Sequence, residues 1–81
     1  MLHPGELIAE ELQLRGMSGR ECARRLGVTH KCISNILNGR ARVTVRVALK
    51  LEPVLGTPAR IWINLQMRHD LAKARARYAA L

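Results

Sequence analysis

Between residues 30 and 35 stand His30, Lys31, Ser34 and Asn35, all hydrogen-bonding side chains with no acid among them. Ile33, Ile36 and Leu37 are spaced among and after them at helical intervals, so a helix here buries the isoleucines and turns the polar four outward. That outward face has one obvious use. An α-helix fits the major groove of double-stranded DNA, where asparagine can pair with both acceptor and donor of adenine and lysine can reach O6 or N7 of guanine. Arg40, Arg42, Arg46 and Lys50 follow closely, and no Asp or Glu occurs from residue 30 to residue 50. Cations in that density suit a row of phosphates.

The elements that must position this face are legible from their end signals. Pro4 opens a first helix over about residues 4–15, with Leu7, Ile8 and Leu12 as its apolar stripe and Gly16 as its end. Ser18-Gly19-Arg20-Glu21 fits a capping box, in which Glu21 reaches back to the cap. It predicts a second, short helix over about 18–26 that buries Cys22, Ala23 and Leu26 and stops at Gly27. Thr29 caps the third helix, about 29–37, which Asn38-Gly39 closes. Ala23, Gly27, Val28, Ile33 and Ile36 have the spacing of a helix-turn-helix over about 18–38: a small residue for close approach, a glycine for the turn, and apolar residues to lock the helices at a steep angle.

Thr44 caps a fourth helix whose apolar positions are Val45, Ala48, Leu49 and Leu51. Pro53 should kink its last turn or end it at Glu52, with Gly56 as the final stop. Thr57-Pro58, a cap followed by proline at the first position, signals a fifth helix over about 58–78. It carries two apolar stripes. One holds Ile61, Trp62, Leu65 and Ala72; the other holds Ile63, Met67, Leu71, Ala74 and Tyr78. Gln66, Lys73 and Arg77 lie between them on one side. One stripe can pack on the domain and the other needs a partner, for which a second copy is the economical choice, so Ile63, Met67, Leu71 and Tyr78 are expected at a dimer interface. Five helices with no credible strand give an all-α fold, expected as one domain over 1–81.

Composition narrows the classes further. The 81 residues carry 14 Lys and Arg against 6 Asp and Glu, a formal charge of +8. Residues 1–29 are neutral overall, whereas the stretch 30–50 has only basic charges, as expected for a polyanion on one face. With one Trp, one Tyr and no Phe, the chain lacks aromatic platforms for single-stranded bases. No apolar run approaches membrane-spanning length, and the start shows no secretion signal, so a cytoplasmic protein is expected. Cys22 and Cys32 read as reduced packing residues, and His3, His30 and His69 have no partners at zinc spacing. No cofactor or metal is expected, and no nucleophile–base pair or phosphate loop suggests an enzyme.

Cys22-Ala23-Arg24-Arg25-Leu26-Gly27-Val28 and Ile33-Ser34-Asn35-Ile36-Leu37-Asn38-Gly39-Arg40 resemble the lambda-repressor-like, or XRE, helix-turn-helix. Over the whole chain, His3-Pro4-Gly5-Glu6, Gly56-Thr57, and Trp62-Ile63-Asn64-Leu65-Gln66 with Asp70-Leu71 are similar to the HigA antitoxins, also called virulence-associated protein I. The resemblance implies a five-helix, lambda-repressor-like fold and a homodimer that represses its own operon on an inverted repeat. It also implies neutralisation of a HigB-like mRNA-cleaving toxin. Carried over residue by residue, His30, Lys31 and Asn35 match base-contacting positions, with Ser34 beside them. Asn38, Arg40 and Thr44 match phosphate anchors, and Ser18, Arg20, Arg42 and Arg46 complete the expected phosphate set. Three residues depart from the family pattern: Gly19 stands where a phosphate-anchoring glutamine is usual, Cys22 where leucine is usual, and Pro53 where the fourth helix usually continues.

The chain carries no acidic tail for a toxin to bind, and residues 73–81 are basic and alanine-rich. Glu6, Glu10 and Glu11 form its acidic cluster. They complement the dipole of the first helix, and they also offer a patch complementary to a basic nuclease. A repressor with no toxin partner would share the same DNA face, and a basic helical module docking on RNA or a protein scaffold would show no preference for an inverted-repeat duplex.

Overall fold

The computed structural model describes residues 3–80; Met1, Leu2 and Leu81, the ends of the span expected as one domain, lie outside the described residues. Five helices follow one another: α1 (Pro4–Leu14), α2 (Gly19–Leu26), α3 (His30–Leu37), α4 (Val45–Leu55) and α5 (Ala59–Ala79). The fold is all-α and lambda-repressor-like. No helix among the described residues is long and apolar enough to cross a membrane.

Helices α2, α3 and α4 each start on a side-chain cap, whereas α1 starts at Pro4 without one. Ser18 Oγ accepts from the Glu21 N–H at 3.1 Å, Thr29 Oγ1 from the Cys32 N–H at 3.1 Å, and Thr44 Oγ1 from the Val47 N–H at 3.2 Å. The second half of the expected capping box is replaced: the Glu21 carboxylate accepts from Arg25 at 3.1 Å and Arg24 at 3.4 Å, one turn further along its own helix. Gly27, at φ +71°, ends α2 in the left-handed conformation that an L side chain resists.

The core joins Ile8 and Leu12 of α1, Cys22, Ala23 and Leu26 of α2, and Ile33 and Ile36 of α3 to Val43, Val47, Leu51, Leu55 and Trp62. Burial pushes the Cys22 thiol above its ordinary pKa, an effect that nearby Arg25 opposes but does not reverse, so it remains protonated at neutral pH.

Three sequence expectations about α4 and the start of α5 need correction. The buried face of α4 is Val47, Ala48, Leu51 and Leu55, while Val45 and Leu49 are exposed. Pro53 does not end α4 at Glu52. It sits inside a helix that runs to Leu55, because Pro53 lies on the exposed side and Leu51 and Leu55 anchor the last turn in the core. Thr57 does not cap α5: the Glu52 carboxylate, from the end of α4, accepts from the Ala59 N–H at 2.8 Å and ties the two helices together.

The inward face of α5 is also rotated from expectation. Trp62 and Gln66 are its buried residues, and Ile63 and Leu65 pack partly on the core. Ile61, placed on the inward stripe, is exposed, and Ile63, placed at the dimer stripe, leans against the domain. The rotation follows from Gln66. Its carboxamide oxygen takes the buried Val43 N–H at 2.7 Å, so this polar residue occupies the centre of the packed face.

Gly5 explains why α1 can approach the end of α3. A Cβ at this position would overlap the Ile36 carbonyl oxygen, which belongs to backbone and cannot turn aside. Gly5→Ala is expected to destabilise the fold by about 1–3 kcal/mol, read as a lower urea midpoint with an unchanged slope.

Candidate nucleic-acid interface

The helix-turn-helix places α3 against α2 through Ala23, Ile33 and Ile36 and leaves its opposite side open. His30 and Lys31, in its first turn, are exposed; Ser34 and Asn35, a turn later, are half-buried at its edge. Nothing acidic stands on this face of α3. The structure brings together three parts of the expected interface: the outer face of α3, the start of α2, and the loop into α4.

The start of α2 lies beside His30. A Cβ built on Gly19 would come 3.9 Å from His30 Nε2 and 3.5 Å from Leu37 Cδ1, which is ordinary contact. The glycine is therefore not required by the backbone, and a β-carbon fits there. Ser18 and Arg20 flank it, both exposed.

Beyond α3 the chain turns sharply. The Asn35 carbonyl accepts from the Arg40 N–H at 2.8 Å and the Ala41 N–H at 3.1 Å, and Gly39 takes φ +74° with the His3 ring packed against it. Asn38 folds back: its Nδ2 donates to the Ser34 carbonyl at 2.9 Å and approaches Ser34 Oγ at 3.4 Å. Arg40, Arg42, Thr44 and Arg46 are exposed on this loop and at the head of α4. A cavity of about 370 Å³ between α3 and α4 is bordered by Asn35, Thr44 and Arg46, with Cys32, Ile36 and Val47 among its other walls.

Two residues to which the sequence reading assigned no role complete this region. Arg42 Nε and Nη2 donate to Asp70 Oδ2 at 3.2 and 2.6 Å, and Gln66 Nε2 donates to Asp70 Oδ1 at 3.0 Å. The Arg42 hydrogen bonds hold the Asp70 carboxyl below the usual carboxylate range; partial desolvation opposes this, while Gln66 and the positive charge of Arg42 reinforce it. The carboxylate is thus charged at neutral pH, and the pair is lost only as pH falls through that lowered value. The signal available in sequence was the four-residue step from Gln66 to Asp70, which puts both on one helix face.

On α1, the acidic cluster is partly engaged. Glu11 pairs with Arg15 at 2.6 Å, and Glu6 lies 3.4 Å from His3, a pair that is charged only if the histidine is protonated. Arg15 also donates to the Leu55 carbonyl at 2.7 Å, tying α1 to the end of α4. Glu10 remains exposed, beside Gln13 and Leu14, the latter 81% exposed. Along α5, Met67, Leu71 and Tyr78 are exposed at 55%, 46% and 72%. Val45 joins Ile63 and Met67 around a shared depression between α4 and α5, so this apolar face extends beyond the stripe read from sequence. No group of three or more His, Cys, Asp or Glu among the described residues could hold a metal ion.

These features define the class: a lambda-repressor-type helix-turn-helix protein. A family model described as helix-turn-helix matches residues 8–62. The chain is 38% identical over 71 residues to the uncharacterized HTH-type transcriptional regulator YddM of Escherichia coli strain K12, covering 88% of this chain and 76% of that protein. It is 36% identical over 75 residues to antitoxin HigA-1 of Vibrio cholerae, covering 91% of this chain and 70% of that one. The antitoxin HigA of Pseudomonas aeruginosa, solved with the higBA promoter, superposes with a TM-score of 0.92 at 30% identity, over 98% of this chain and 87% of that one. The chain belongs to the HigA family of antitoxins, a helix-turn-helix family rather than a family of enzymes.

The cap on α3 rests on the one hydrogen bond to Thr29 Oγ1. Thr29→Ala is expected to cost about 1 kcal/mol, seen as a lower unfolding midpoint and as faster amide exchange at Cys32.

Proposed function

We propose that this chain is the antitoxin of a type II toxin–antitoxin module. In this reading it acts in the cytoplasm as a homodimer that binds an inverted-repeat operator of its own operon and neutralises a HigB-like mRNA-cleaving toxin. The observation that carries the DNA reading is the acid-free outer face of α3, set between the start of α2 and the basic loop into α4, in a chain similar to an antitoxin solved with its promoter. His30, Lys31, Ser34 and Asn35 meet base edges. Ser18, Arg20, Asn38, Arg40, Arg42, Thr44 and Arg46 hold phosphates on either side.

Two copies of α3 must sit about 34 Å apart to enter successive major grooves on one side of the duplex. The exposed apolar face of α5, with Met67, Leu71 and Tyr78, supports pairing with a second copy, and Val45 and the half-buried Ile63 extend that surface to α4. For the toxin, Glu10 with the flanking Glu6 and Glu11 provides an acidic patch on α1, on a different helix from the DNA face and complementary to a basic partner.

Operator affinity is expected to fall steeply with salt, with a log–log slope of roughly −4 to −8 for a dimer. Asn35→Ala should change which operator bases matter, while Arg46→Ala should weaken all duplexes alike. An affinity independent of salt, or a base preference unaltered by Asn35→Ala, would contradict the placement of α3. A small basic reading frame, lethal when expressed alone, is expected beside the gene; co-expressed with its product, the chain should co-purify with it and rescue growth. Rescue undiminished by Glu6→Lys and Glu10→Lys together would move the toxin contact away from α1.

A further inference from the structure

The loop between α3 and α4 has a specific problem. It must expose Arg40, Arg42 and Thr44, yet Val43, in its middle, is buried with its N–H directed inward. Gln66 solves it by supplying a buried acceptor at 2.7 Å, and Asp70 holds Gln66 from the other end at 3.0 Å. The second oxygen of Asp70 takes Nε and Nη2 of Arg42, the residue next to Val43. The hydrogen bonds thus close a ring: Val43 backbone, Gln66, Asp70, Arg42, and back through one peptide bond. Arg42 Nη1 takes no part in this ring, and the Arg42 side chain is 63% exposed.

We infer that Gln66 and Asp70 form a clasp that presets the Arg42 guanidinium and its loop for a DNA phosphate, making Asp70 a positioning residue for a contact it does not itself make. The inference rests on the DNA-binding reading above and adds to it a role for α5. Attachment of Nε and Nη2 to one carboxylate oxygen tethers the guanidinium side-on and leaves its Nη1 edge for a second anion. A free arginine at this place would lose several rotatable bonds on binding; a clasped one has lost them already.

The sign of the effect distinguishes this from plain electrostatics. The surrounding groove is lined by His3, Arg40, Arg42, His69 and Lys73 with Asp70 in their midst. Judged by charge alone, Asp70 repels a polyanion, and its removal should tighten binding to every duplex. The clasp requires the reverse.

The experiment measures operator and random-duplex affinity across a salt series for the unaltered protein, Asp70→Ala, Asp70→Asn, Arg42→Ala and the Asp70→Ala/Arg42→Ala double variant, with circular dichroism melts for each. Asp70→Ala is expected to weaken operator binding about fivefold with the salt slope kept, because Arg42 is still a cation but must be ordered on binding, whereas Arg42→Ala should weaken it further and make the slope shallower by about one per protomer. The double variant should bind like Arg42→Ala alone, because the two residues form one contact. Asp70→Asn, which keeps one acceptor oxygen and disturbs packing least, should fall between the unaltered protein and Asp70→Ala. Tighter binding by Asp70→Ala, or losses that multiply in the double variant, would overturn the clasp while leaving the DNA reading intact. Failure of the unaltered protein to prefer the operator duplex would overturn that reading and the clasp with it.

Discussion

An eight-residue helix cannot hold itself together in water, yet α3 is that short and carries the whole outward polar face. Only Ile33 and Ile36 are buried on it, so its stability must be imported. Thr29 satisfies an N–H at its start. At its other end the Asn35 carbonyl is taken by the Arg40 and Ala41 N–H groups, and α1 presses Gly5 against the Ile36 carbonyl. A longer helix would be more stable alone, but its ends would not be bracketed by the start of α2 and the loop into α4.

The loop into α4 obeys a related constraint. Its polar backbone cannot be sealed by a regular element without covering the side chains it displays, so its hydrogen bonds come from a distance. Asn35 closes one side of the turn and Gln66 the other, thirty-one residues apart in sequence. The second of these makes α5 more than a support. One side of that helix fixes the basic loop, while another presents Met67, Leu71 and Tyr78 to solvent. The basic loop beside α3 and the exposed apolar face of α5 therefore depend on one rigid element.

Helix ends were the most legible part of the chain, because caps and left-handed glycines act through neighbours a few residues away. Ser18, Thr29 and Thr44 accept the hydrogen bonds their positions suggest, and Gly27 and Gly56 end their helices. The outward side of α3 was legible for the same local reason: the spacing of Ile33 and Ile36 leaves only one other side for His30 and Lys31. Where a local rule competed with packing, packing prevailed. Pro53 stays inside α4 because Leu51 and Leu55 hold the turn, and Glu52 rather than Thr57 satisfies the start of α5.

The amino-acid sequence by itself determined the number and order of the helices, the helix-turn-helix at their centre and the outward direction of its polar residues, since each depends on periodicity and on contacts within one or two turns. Only the tertiary structure decided which face of α5 turns inward, that Val45 and Leu49 lie outside the core, and that Arg42 is tethered to Asp70. Those outcomes depend on where a distant backbone N–H must find its acceptor. Val43 needs Gln66, and meeting that need rotates the helix that carries it and brings Asp70 to the arginine, a consequence of three-dimensional closure that no spacing along the chain encodes.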